Sequence, residues 1–139
     1  MPKSNWLRDA LLNHALRSAS FAKPSTVWLA LFTSDPGPTG SLASELPIGV
    51  GGYARAAVTV GDAQWSAPAT SGDYRATMNN NVISFGTASA NLGTVTHVAL
   101  MDAATAGNML WYDALDTSRT INNGDPIQIP AGSIIVREG

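Results

Sequence analysis

The sequence predicts a mainly β fold: an antiparallel β-sandwich or jelly-roll-like barrel behind one N-terminal α-helix, laid out as a single domain over residues 1–139. Three observations carry this. Apolar residues recur at helical spacing only ahead of Lys23-Pro24. Beyond Pro24 the chain breaks into short apolar or alternating runs. Clusters of Gly, Pro and Asn separate those runs at near-regular intervals. Short strands punctuated by regular turn signals are the pattern of sandwiches and barrels. A chain of 139 residues suits one hydrophobic core better than two.

The helix is expected over about residues 4–21. Leu7, Leu11 and Ala15 fall on one stripe, with Leu12 and Leu16 beside it and Arg8 and Arg17 elsewhere. Ser4 or Asn5 can cap its start, and Lys23-Pro24 closes it, because the residue before proline resists helical geometry. Strands and loops then fill about residues 25–137. Thr26 to Thr33 is apolar on both alternating faces and reads as a central strand buried on both sides. Ser34 to Gly52 holds three prolines and five glycines without periodicity, a long connection of the kind that is usually functional or disordered. Tyr53–Val60 reads as a strand, Gly61–Arg75 as a second irregular passage, and Asn81–Phe85 as a short strand. Thr94–Met101 alternates, with Val95, His97, Ala99 and Met101 on one side and Thr94, Thr96, Val98 and Leu100 on the other. It turns through Asp102–Asn108 into Met109–Tyr112 as an antiparallel neighbour. Asn122–Asp125 is a tight turn, and Ile127–Ile129 with Ser133–Val136 reads as a closing hairpin around Pro130-Ala-Gly132.

Composition narrows the partners. The apolar fraction of 45% is ordinary, but the charged fraction is 13%, about half the usual share. Thr, Ser, Asn and small residues must cover the surface, which suits close protein–protein contact and predicts a homo-oligomer. The eight basic residues are scattered, so no stripe exists to neutralise a phosphate backbone and nucleic acid is not an expected partner. No apolar stretch is long enough for a membrane span. The absence of cysteine removes disulfides and thiolate chemistry.

Little material for catalysis remains. His14 lies in the helix and His97 in a strand, with no third ligand at characteristic spacing. There is no G-x-S-x-G elbow, and Gly49-Val-Gly-Gly52 lacks the Lys-Ser/Thr of a phosphate loop. No catalytic residue, metal site or cofactor is therefore expected. Of the four tryptophans, Trp28 reads as core and Trp111 as core or groove wall. Trp6 and Trp65 are easier to expose and suit an interface or a sugar platform. The expected core is Trp28, Leu31, Phe85, Leu100 and Ile134. The expected interface is Trp6, Leu7, Leu11 and Trp65.

Several segments, in order, resemble a family of small tailed-bacteriophage proteins of tail-fibre-like type. They are Trp6-Leu-Arg-Asp-Ala-Leu-Leu-Asn-His-Ala-Leu16, Val27-Trp-Leu-Ala-Leu-Phe-Thr-Ser-Asp-Pro36 and Gly51-Gly-Tyr-Ala-Arg55 in the first half. The second half adds Phe85-Gly-Thr-Ala88, Gly93-Thr-Val-Thr-His-Val-Ala-Leu-Met-Asp102, Thr105-Ala-Gly-Asn-Met-Leu110, Thr120-Ile-Asn-Asn-Gly-Asp125 and Ile129-Pro-Ala-Gly132. The resemblance implies a non-enzymatic structural part of the virion, made in the host cytoplasm and associated with the tail. Its partners would be itself, as a trimer, and other virion proteins. A capsid decoration or neck protein of the same particle is the alternative. A carbohydrate-binding module that meets a host-surface glycan through Trp65 or Trp111 is a further one.

Overall fold

The N-terminal segment opens the structure by pairing with a distant strand before it enters the helix. In a computed structural model covering residues 1–139, the Tyr112 N–H donates to the Pro2 carbonyl (3.0 Å) and the Ser4 N–H to the Leu110 carbonyl (2.9 Å). Ser4 is buried and caps helix α1, Asn5–Leu16, its Oγ accepting from the Leu7 N–H at 3.2 Å while donating to the Met109 carbonyl. The cap therefore fixes both the start of the helix and its position on the sheet.

The strands are β1 (Thr26–Phe32), β2 (Ala56–Thr59), β3 (Ala69–Ser71), β4 (Tyr74–Met78), β5 (Ile83–Thr87), β6 (Gly93–Met101), β7 (Met109–Ile121), β8 (Pro126–Ile129) and β9 (Ile135–Glu138). All pairings are antiparallel. They form a four-stranded sheet in the order β2-β1-β6-β7, a three-stranded sheet β3-β4-β9 and a two-stranded sheet β5-β8. The expected mainly β architecture with one N-terminal helix is thus present, in open layers, and no sheet closes into a barrel.

The four-stranded sheet is buried on both faces. One face contributes Val27, Leu29, Leu31, Val98, Leu100 and Leu110 to the main core, together with Leu7 of the helix and Ile83, Ile127, Ile134 and Val136 of the smaller sheets. The other face carries Ala30, Phe32, Ala99, Met101 and Met109. The loop after β1 shields that face. Pro36 is buried, Leu42 packs on the cluster, and a Cβ at Gly40 would lie 3.2 Å from the Met109 Cβ. Leu31, Leu100 and Ile134 are buried, whereas Trp28 and Phe85 are half-buried at the margins of the two clusters.

Four sequence expectations need correction. The helix ends at Leu16, not Phe21. Arg17 is already extended, and residues 17–20 bury nothing that would reward another turn. The chain doubles back instead, with the Phe21 N–H donating to His14 Nδ1 at 3.1 Å and the Phe21 ring meeting Trp6 edge-on at 6.0 Å. The alternation of β6 changes phase at a bulge between Val95 and His97, so Val95 shares the main core with Val98 and Leu100 rather than siding with Ala99 and Met101. The passage 61–75 contains β3 and the start of β4, joined by the two-residue turn Gly72-Asp73 with Gly72 at φ +63°. Finally, β8 and β9 do not pair with each other. β8 joins β5 and β9 joins β4.

The last difference has a clear cause in Asn79, which is 2% exposed. Its Nδ2 donates to the carbonyls of Asn81 (2.8 Å) and Pro130 (3.0 Å), and its Oδ1 accepts from the Ile134 N–H (2.9 Å). Its backbone carbonyl accepts from the Gly132 N–H at 2.8 Å. Asn79 thus meets backbone groups of Pro130, Gly132 and Ile134, holding the 130–134 turn where the two flanking strands part into different sheets.

Candidate functional site

Three features concentrate what this chain can do: a rigid loop end, an uncovered helix face, and an apolar cavity between two tryptophans.

At the loop end, β1 outruns β2, and Ser44–Leu46 takes over as its neighbour. The Thr33 N–H donates to the Ser44 carbonyl (2.9 Å) and the Leu46 N–H to the Leu31 carbonyl (3.0 Å). The Leu31 N–H is met by Tyr53 Oη at 3.1 Å. Beside it, Arg55 holds Glu45 in a two-pronged ion pair, Nε to Oε1 at 2.8 Å and Nη2 to Oε2 at 2.7 Å. Arg55 Nη1 reaches the carbonyls of Ala103 and Ala106, each at 2.8 Å. One buried guanidinium thus ties the 34–52 loop to the β6–β7 turn. Ala106 sits at φ +50°, a left-handed conformation unusual for a residue with a Cβ, and its carbonyl is held by Arg55. The clamp leaves Ile48 and Val50 exposed at the tip of the loop.

Burial pushes the Tyr53 hydroxyl well above its ordinary value of 10.0, and the neighbouring Glu45 carboxylate adds to the effect. A phenol whose folded value is raised gives stability that is complete below pH 10. That stability is lost as pH climbs further, because the unfolded chain releases its proton first. Tyr53→Phe should cost about 1–2 kcal/mol at pH 8 by orphaning the Leu31 N–H. It should also flatten the loss between pH 8 and pH 11. Urea titrations of both proteins at the two pH values check this, and a parallel decline in the two would contradict it.

The helix face is the second feature. Leu7 is 1% exposed and anchors α1 in the main core, so it is not available to a partner, contrary to its expected interface role. The helical stripe points it directly at the sheet, where Ser4 has fixed the approach. Leu11 is half-buried, whereas Trp6 is 41%, Leu12 58% and Leu16 80% exposed. Arg8, Leu12 and Leu16 share one stripe at four-residue spacing. Arg8, Leu11 and Leu12 wall a cleft of about 860 Å³ whose other side holds Tyr74 and Arg137. Lys3 and Glu138 form an ion pair at 2.7 Å along its rim.

The third feature is a cavity of about 200 Å³ under the segment joining α1 to β1. Trp65 and Trp111 wall it with Phe21, Val60, Leu100 and Val136. Trp65, expected at an interface, is half-buried here against the main core. Sequence patterning did not bring Trp65 and Trp111 together, because they sit 46 positions apart, in a loop and in β7.

The groups that could carry chemistry are dispersed. No cluster of three or more His, Asp or Glu side chains stands where it could hold a metal ion. His14 accepts from the Phe21 N–H, and His97 Nδ1 lies 2.8 Å from Thr96 Oγ1. No helix is long and apolar enough to cross a membrane.

Comparison with known proteins gives these surfaces a setting. The family model described as Podophage GP4 fiber I protein gp80 matches residues 2–137, nearly the whole chain. The chain belongs to this phage fibre family. No curated protein matches it. Membership confirms the tail-fibre-like resemblance and makes the chain a structural component of the virion. In a fibre protein, the uncovered helix face and the clamped loops are the surfaces to weigh first.

Proposed function

We propose that this fibre-family protein is a tail-associated element that assembles with copies of itself, as a trimer, through the solvent face of α1, and works without catalysis. It also docks on neighbouring virion proteins. The observation that carries this reading is the uncovered second half of α1, where Leu12 and Leu16 stand 58% and 80% exposed beside a cleft continuing to Tyr74. Large apolar side chains on a rigid helix, in a chain with only 13% charged residues, make a surface that water penalises and a partner rewards. A carbohydrate role for Trp65 or Trp111 finds less support, since the wall they share is almost wholly apolar and offers a sugar's hydroxyls no partners.

Sedimentation of the wild type and of the Leu12→Glu/Leu16→Glu variant tests the assembly. The wild type should run as a trimer at high micromolar concentration. The variant should run as a monomer with its circular dichroism unchanged, because both side chains face solvent. A monomeric wild type would sink the proposed self-assembly. Immunogold microscopy of particles tests placement: label on the tail is the expected result, and label over the head would make the chain a capsid decoration protein.

A further inference from the structure

We infer that the segment between α1 and β1 is a pH-sensitive strap, latched by neutral His14 and released when that imidazole takes up a second proton. His14 lies two positions from both Leu12 and Leu16, on the opposite side of the helix. The latch therefore stands or falls separately from the assembly reading.

The strap is held by little. Arg17 still closes the helix, its N–H donating to the Asn13 carbonyl, and the Ser25 carbonyl accepts from the Val60 N–H. Between them, residues 18–24 make one hydrogen bond, from the Phe21 N–H to His14 Nδ1 at 3.1 Å. Phe21 and Pro24 are half-buried, and the other residues of the strap are exposed. Those two side chains wall the apolar hollow beneath, which Trp65 and Trp111 line from the other side, and Phe21 meets Trp6 edge-on.

The latch works in one protonation state only. To accept at Nδ1 the imidazole must be neutral, with its proton on Nε2. A second proton goes to Nδ1 and turns the acceptor into a donor facing the Phe21 N–H, so the bond is lost. Histidine is the side chain that makes this change between pH 5 and 8. The charged ring keeps a favourable place, because it lies in the last turn of α1 beside carbonyls without helical partners. The other charges around it are Arg17 after the helix, Lys23 on the strap and Asp102, which lines the hollow shared by Trp6 and Phe21. None forms an ion pair with His14, and Arg8 and Asp9 lie more than a turn earlier on α1. Asp102 is engaged by the Asn108 backbone N–H and side-chain amide at 2.7 and 3.0 Å. Closure is therefore complete where His14 is neutral and is lost as pH falls through its titration. Opening lifts Phe21 and Pro24 from the hollow and bares its tryptophan walls to water.

Nuclear magnetic resonance on the full chain between pH 8 and pH 5 tests the latch. Protection of the Phe21 amide, taken relative to its intrinsic exchange rate at each pH, should fall about fivefold in step with the His14 ring signals. His14→Asn sets an amide oxygen near the place of Nδ1, an acceptor at every pH, and should keep Phe21 protected throughout. His14→Ala should show at pH 8 the low protection that the wild type reaches at pH 5. His97 titrates in all three proteins. A pH response of Phe21 that survives in His14→Asn would therefore belong to another group and overturn the inference. Unchanged Phe21 protection while the His14 ring titrates would overturn it as well. Should either variant lose its dispersed spectrum, the wild-type titration decides alone: Phe21 loosens with His14 or the latch does not exist.

Discussion

Replacing Arg55 with Ala should destabilise the protein by about 3–5 kcal/mol, the range for removing one partner of a buried ion pair. The Arg55 and Glu45 side chains are 1% and 7% exposed, so the truncation leaves a carboxylate in the interior with no counter-charge. The carbonyls of Ala103 and Ala106 lose their donor in the same step. For a chain of this size the melting temperature should fall on the order of 10 °C. A control separates the penalty of an orphaned charge from the worth of the pair: Arg55→Met with Glu45→Leu should recover much of the loss, because an apolar pair asks for no compensation. Thermal melts of the three proteins decide the matter. A loss below about 1 kcal/mol in Arg55→Ala would show that water reaches the pair. Even where stability recovers, the double variant should loosen the 34–52 loop against the 102–108 turn, since no directional contact joins them any longer. Faster amide exchange at Leu46 would report it.

Asn79→Ala should cost about 3 kcal/mol, from a residue with no charge and no place in the apolar core. The side chain satisfies the Asn81 and Pro130 carbonyls and the Ile134 N–H in a site where water has little access. The decisive reading is spatial. Amide exchange should accelerate at Ile134 and along β9 while β6 keeps its protection, because β6 is paired to β1 and β7 and neither is hydrogen-bonded to β9. Asn79→Asp should also destabilise, since a carboxylate cannot donate to the two carbonyls. Uniform acceleration across both sheets would mean that Asn79 supports the whole fold rather than the turn.

These two residues mark where sequence reading stopped. Nothing about Asn79 in Met78-Asn-Asn-Asn81 distinguishes it from its exposed neighbours Asn80 and Asn81. Its role depends on residues more than fifty positions away. The pairing of Arg55 with Glu45 depended on the path of the 34–52 loop, where periodicity is silent. Leu7 and Leu12 illustrate the same limit on one helix. Spacing made both apolar positions of an amphipathic face, and only the docking of Ser4 against Met109 decided that Leu7 goes inward and Leu12 stays in solvent.

What the sequence by itself determined was local. The helix start at Ser4 or Asn5, the doubly buried run of β1, the β6–β7 hairpin and the glycine turns all follow from the short-range sterics and burial periodicity of neighbouring residues. The tail-fibre-like resemblance was equally legible, because it rests on the order of motifs along the chain. The tertiary structure alone decided which strands pair, where β6 changes face, and which tryptophans share a wall. Those outcomes depend on hydrogen bonds and packing between residues far apart in sequence. A pattern that repeats every two or four residues carries no information about a partner at such separations.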